Sequence, residues 1–137
     1  MPRLSRDLPV FVYGTLRPAV AHVPAAKRLK REGRLIGPAT FPGRLYLIHW
    51  YPGLVPSAAA GELVHGELFS LPPKRGLLEM LDAYERFRPA QPKRCDFRRA
   101  EWTVEGPEGA VRAWVYTYHG PLSEDRRIRS GDFIRGE

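Results

Sequence analysis

Fourteen prolines and 13 glycines interrupt a chain of 137 residues, spread along it rather than gathered in a linker. Proline cannot donate to a helix or sheet ladder, and glycine gives up the most conformational freedom on folding, so long helices are excluded from most of the chain. What survives such punctuation is a set of short strands joined by turns, with helices only where the interruptions are sparse.

Residues 8–12 are a short apolar run that passes directly into Tyr13-Gly14-Thr15-Leu16-Arg17-Pro18. This predicts a buried strand delivering a loop in which Gly14 permits unusual backbone angles. Residues 24–31 place Ala25, Ala26 and Leu29 at helical spacing behind a first-turn Pro24, and Gly33 stops that helix. Residues 34–40 and 44–49 predict two strands around a bend at Pro42-Gly43, followed by a turn at Tyr51-Pro52-Gly53. Residues 62–69 read as a strand in which Gly66 marks a bulge or a close approach by another group. A second helix opens at Pro72-Pro73 and carries Leu77, Leu78, Leu81 and Tyr84 on one face, leaving Glu85 at its end. Residues 97–104 and 110–118 alternate as a hairpin across residues 105–109, and the polar tail 120–137 is expected on the surface.

With 43% hydrophobic residues the chain can bury a core without disulfides or metal, and no repeat or linker divides it. One α+β domain over residues 1–137 is therefore expected. Closing its short strands into a barrel would remove exposed edges, although pattern alone does not decide closure. No apolar run approaches the roughly 20 residues of a membrane-spanning helix. The charged segment 1–7 has no apolar core behind it, so it does not read as a secretory signal, and a cytoplasmic location is expected. The single Cys95 has no cysteine partner, and His22, His49, His65 and His119 lack metal-ligand spacing, so no metal is expected.

The formal charge of +7 raises the question of nucleic acid. Of 22 basic residues only Lys27, Lys30, Lys74 and Lys93 are lysine, and the arginines run from Arg3 to Arg135. That spread, with no zinc-finger spacing and no signature of an RNA-binding sheet, argues against a nucleic-acid partner and for a solvated surface.

Three separated segments carry more specific information: Val10-Phe11-Val12-Tyr13-Gly14-Thr15-Leu16-Arg17, Leu81-Asp82-Ala83-Tyr84-Glu85 and Ala113-Trp114-Val115-Tyr116-Thr117-Tyr118. With Leu45-Tyr46, Tyr51-Pro52-Gly53, Val64-His65-Gly66-Glu67-Leu68, Phe97-Arg98-Arg99 and Ser130-Gly131-Asp132-Phe133, the ordered set resembles the gamma-glutamylcyclotransferase-like family over almost the whole chain. The resemblance implies a small mixed β-barrel with short flanking helices, and a pocket where the Tyr13 to Leu16 loop meets Glu85. It implies no metal and no organic cofactor. The implied substrate is a small gamma-glutamyl compound whose free α-amine attacks its own γ-carbonyl, releasing 5-oxoproline and an amine or amino acid.

Glu85 matches the family's acid/base position, and the chemistry explains why a carboxylate is wanted. The substrate ammonium must lose a proton to attack, and the departing amine must gain one. Backbone N–H groups of Tyr13, Gly14, Thr15 and Leu16 could hold the substrate carboxylate or the oxyanion of attack. Tyr116 and Tyr118 share a strand face, facing either the pocket or plain core. Arg99 matches a basic position whose guanidinium fork suits a carboxylate, with surface solvation as its other reading. Arg86 stands where a glycine often follows the family's glutamate, and Phe133 where tryptophan is common. The leaving-group half of the pocket is expected from loops 50–60 and 86–94. A non-catalytic module of the same fold, recruiting an anionic metabolite, protein or nucleic acid, is the alternative reading. Oligomeric state is not legible.

Overall fold

The computed structural model describes residues 8–20, 22–73 and 76–136; the charged segment 1–7 discussed above lies outside them. The elements are β1 (Val10–Val12), α1 (Pro24–Glu32), β2 (Arg34–Leu47), β3 (Pro52–Pro56), β4 (Leu63–Ser70), α2 (Leu77–Tyr84), β5 (Phe97–Gly106), β6 (Gly109–Tyr118) and β7 (Arg127–Ile128).

Hydrogen bonding runs β2-β4-β1-β6-β5, and a pairing of Thr40 in β2 with Glu105 in β5 returns to the start. The five strands close into a barrel. It is mixed, because β1 pairs antiparallel with β4 but parallel with β6. Closure removes the edges that short strands would otherwise expose.

Strand alternation sorts the apolar residues into two clusters. Phe11, Phe41, Val64, Leu68, Val104, Ala113 and Val115 belong to the cluster that fills the barrel. Val10, Val12 and Tyr116 face the other way and pack with Leu29 of α1 and Leu77 and Leu81 of α2. The two helices thus cover the outer face of β1 and β6, and the loop that leaves β1 emerges beside them.

Some local expectations change, and one open alternative is decided. The stretch 34–49 is one strand of 14 residues, not two. It changes partner between Pro42, opposite Leu63 of β4, and Gly43, opposite Pro56 of β3, so the bend falls where proline has no N–H to give. Gly66 marks a close approach: a Cβ there would lie 2.1 Å from the Val12 carbonyl oxygen, whereas the register shift falls between Leu35 and Gly37 of β2. The hairpin is tighter than expected, with Gly106 paired to Gly109 across Pro107-Glu108. The tail lies mostly on the surface as expected, but it is anchored to the barrel. Its β7 pairs with β2, Ile128 is buried, and the Gly131 carbonyl accepts from the His65 N–H at 2.8 Å. A two-residue strand carries no readable alternation, which is why that anchoring is not legible from polarity.

Candidate active site

β1 ends at Val12, and the chain turns through Tyr13 to Leu16, all four residues buried. Gly14 is required here by space and not by backbone angle. Its φ is not positive, but a Cβ would lie 2.6 Å from Cγ of Pro52. The Tyr13 hydroxyl donates to the Tyr116 carbonyl at 2.7 Å, tying the loop to β6. The Gly14 carbonyl accepts from the Arg17 N–H at 3.1 Å, and the Arg17 carbonyl accepts from Val20 at 2.9 Å. Among the described residues the N–H groups of Thr15 and Leu16 have no acceptor.

Arg17 anchors the loop from below. Its guanidinium donates through Nε and Nη2 to both carboxylate oxygens of Glu67 at 2.8 and 2.9 Å, and through Nη1 to Asp132 at 2.8 Å. These contacts explain two pieces of the sequence pattern with no assigned role: Glu67 on β4 and the Gly131-Asp132 pair. Gly131 sits at φ +70, where any Cβ would meet the Leu63 carbonyl.

Glu85 is positioned by the end of α2. The Phe87 N–H bonds to the Asp82 carbonyl at 2.8 Å and the Arg86 N–H to the Ala83 carbonyl at 3.1 Å. This is a Schellman termination, with Phe87 folding back onto the same core cluster as Leu81. The motif needs a left-handed residue after the cap, and Arg86 supplies it at φ +58. The glycine often found at this position in the resembling family has its explanation in that angle.

Two cavities share Thr15, Tyr51 and Glu85 in their walls. The narrow one, about 20 Å³, is lined by the whole Tyr13 to Leu16 loop, Pro52 and Tyr116, and has room for roughly one water or carboxylate oxygen. The wider one, about 280 Å³, adds Trp50, Tyr84, Arg86 and Phe97. The loop and the acidic side chain therefore face one space.

Burial, with the neighbouring charge of Asp82 adding to it, pushes the Glu85 carboxyl up to about 7. Thr15 Oγ1 and the Tyr84 hydroxyl lie 2.6 Å apart at the same wall. Burial raises the Tyr84 phenol, its bond to Thr15 working against this and the charge of Glu85 with it, so Tyr84 stays neutral.

Behind Glu85 lies a second carboxylate that the sequence pattern left without a role. Asp82, buried, accepts from Arg99 Nε at 2.7 Å, from Arg99 Nη2 at 3.0 Å and from the Tyr116 hydroxyl at 2.6 Å. The Arg99 guanidinium also lies 4.3 Å from the Trp114 ring centroid. Of the residues singled out in the sequence, Tyr13, Gly14, Thr15, Leu16, Tyr116 and Glu85 are thus brought together. Arg99 and Tyr118 line neither cavity. Arg99 is committed to Asp82, and Tyr118 packs on Phe97 with its hydroxyl donating to the Pro121 carbonyl at 3.2 Å. Spacing could have found Asp82, because it lies one helical turn before Glu85. Among the described residues no group of three or more His, Cys, Asp or Glu is placed to hold a metal, and no helix is long and apolar enough to cross a membrane.

A closed five-stranded barrel whose first strand delivers a buried turn to a cavity shared with a helix-end carboxylate defines the class of protein. The family model described as gamma-glutamyl cyclotransferase, AIG2-like, matches residues 10–135, so this chain belongs to that family. It is 30% identical over 126 residues to the gamma-glutamylcyclotransferase family protein YtfP of Escherichia coli K12, covering 91% of this chain and 95% of YtfP. Two solved structures show the same fold. YkqA from Bacillus subtilis superposes with a TM-score of 0.69 at 22% identity, matching 93% of this chain but 40% of YkqA. The crystal structure of an AIG2-like protein from Mus musculus gives 0.62 at 23% identity, matching 87% of this chain and 81% of the mouse chain.

Proposed function

We propose that the protein is a one-domain cytoplasmic enzyme that cyclises a gamma-glutamyl compound to 5-oxoproline, with Glu85 as its proton carrier. The observation that carries this reading is the shared space: the N–H-bearing turn from Tyr13 to Leu16 and the Glu85 carboxyl line one cavity. In the reading, the glutamyl α-carboxylate or γ-carbonyl oxygen rests against the Thr15 and Leu16 N–H groups, which need no reorganisation to receive charge. Glu85, ionised, takes a proton from the α-ammonium. The freed amine attacks the γ-carbonyl, a C–N bond forms in the five-membered ring, and the old amide C–N bond breaks. Glu85 returns that proton to the departing nitrogen, then takes the second proton that the ring nitrogen sheds in becoming a lactam N–H and passes it on, so the amine leaves as an ammonium. A carboxyl titrating at about 7 suits both halves, since it is neither too weak a base for the first nor too weak an acid for the second. The Asp82, Arg99 and Tyr116 group acts at one remove, holding Tyr116 and α2 in place.

Incubation with a panel of gamma-glutamyl amino acids and amines tests the reading through the 5-oxoproline formed. Glu85→Gln should abolish product. Absence of 5-oxoproline across the panel, or undiminished turnover in the variant, would sink it and leave the binding-module reading in its place.

A further inference from the structure

The wider cavity is where the departing amine must sit, because it shares Glu85 with the narrow one and takes only Thr15 from the Tyr13 to Leu16 turn. Four of its seven lining residues are aromatic: Trp50, Tyr51, Tyr84 and Phe97. Their arrangement is built. The Ile48 N–H donates to the Tyr51 carbonyl at 3.0 Å and the His49 N–H to the same oxygen at 3.3 Å, so Trp50 lies within a hydrogen-bonded turn. Tyr51 meets Trp50 edge-on, with centroids 5.4 Å apart, and Phe97 at 5.8 Å. Yet Trp50 is 57% exposed. A large indole held in place but left uncovered at the mouth of a cavity is an apolar surface awaiting a partner.

Arg86 supplies the complementary charge. Among the described residues it is the one cation lining this cavity, and its guanidinium has no hydrogen-bond or ion-pair partner there. It also lines the broad open groove formed with Arg88 and Arg94, so it stands at the rim with its head near solvent. Its backbone is held at φ +58, an angle that disfavours any side chain. A strained residue one position from the proton carrier is the kind of outlier from which function is inferred.

We infer that the leaving group this site selects is an aromatic α-amino acid, its ring received by Trp50, Tyr51 and Phe97 and its carboxylate by Arg86. The inference rests on the cyclotransferase reading and names the substrate within it: a gamma-glutamyl derivative of phenylalanine, tyrosine or tryptophan. The step is balanced without any co-reactant. The dipeptide's own nitrogen closes the ring, the amide bond breaks, and the two protons that nitrogen sheds in going from ammonium to lactam N–H pass in turn through Glu85 to the released amino acid, which leaves as an ammonium.

Two measurements separate this inference from the reading beneath it. The first is calorimetric binding to the Glu85→Gln variant, in which the ligand persists. Gamma-glutamyl-phenylalanine should bind roughly tenfold tighter than gamma-glutamyl-alanine, and roughly tenfold tighter than gamma-glutamyl-phenethylamine, which keeps the ring and lacks the carboxylate. Trp50→Ala should collapse the first ratio toward one, and Arg86→Gly the second. The second measurement is 5-oxoproline release by the unaltered protein from the same three compounds. Equal binding of all three, or ratios insensitive to Trp50→Ala and Arg86→Gly, overturns the inference whether or not cyclisation occurs. The expected binding preference without 5-oxoproline supports the ligand class and overturns the cyclotransferase reading. Cyclisation with no preference does the reverse.

Discussion

Replacing Glu85 by glutamine should make the protein more stable, and only at alkaline pH. The carboxyl titrates at about 7 in the folded chain against 4.5 ordinarily, because burial and the charge of Asp82 both disfavour ionisation. Between those values the native state binds more protons than the unfolded state, so stability falls as pH rises through the window. Below 4.5 the carboxyl is neutral in both states and costs nothing. Above 7 it is ionised in both, and the folded state carries the full penalty. The displacement corresponds to a ceiling of about 3 kcal/mol, since the side chain is only partly withdrawn from water. Glutamine keeps the shape and removes the charge. Thermal melts of both proteins at pH 5 and pH 8.5 should show nearly equal midpoints in acid, and a variant higher by up to roughly 10 °C in base. A variant equally stabilised at both pH values, or destabilised at pH 8.5, would show that Glu85 does not sit in a desolvating site beside a second carboxylate. The same substitution should abolish 5-oxoproline release, so activity and stability part company at one residue.

Asp82→Asn should shift the acidic limb of the kcat/KM profile to lower pH, because it removes a charge that raises Glu85; an unmoved limb would mean the two carboxylates do not communicate. It should also cost about 3 kcal/mol by stranding Arg99, read in urea unfolding. Arg17→Met leaves Glu67 and Asp132 without their shared cation and should lower stability by about 3 kcal/mol while raising KM, and a midpoint within a degree or two of the parent would contradict that anchoring role. Arg86→Gly relieves a left-handed side chain and should raise stability by about 1 kcal/mol, so a fall in melting temperature would show that the arginine makes compensating contacts.

The parts of the fold that were legible are those written in local pattern. The apolar run into Tyr13, the helix behind Pro24, the leucine face of α2 and the β5 to β6 alternation each announce themselves within a dozen residues. What escaped depends on partners far along the chain. β2 reads as two strands until the switch from β4 to β3 is seen, and the tail reads as surface until Asp132 is found beside Arg17. At the site, Glu85 and the glycine turn were visible because a family resemblance carried them. Asp82 escaped because a polar residue on a helix is ordinarily solvated, and nothing in its neighbours shows that Arg99 and Tyr116 arrive from β5 and β6 to claim it. Arg99 was read for the charge it carries, which Asp82 already satisfies.

The ion pair between Arg17 and Asp132 joins positions 115 apart in sequence. A ribosome making this protein extrudes the turn at Tyr13 more than a hundred residues before Asp132, yet cannot brace it until that residue has emerged, and the strand before it must wait for Trp114 to gain its parallel neighbour. The turn is accordingly braced only after the strands it joins have been made, and a product ending before residue 132 would carry the glycine turn and the glutamate without the Asp132 half of that brace.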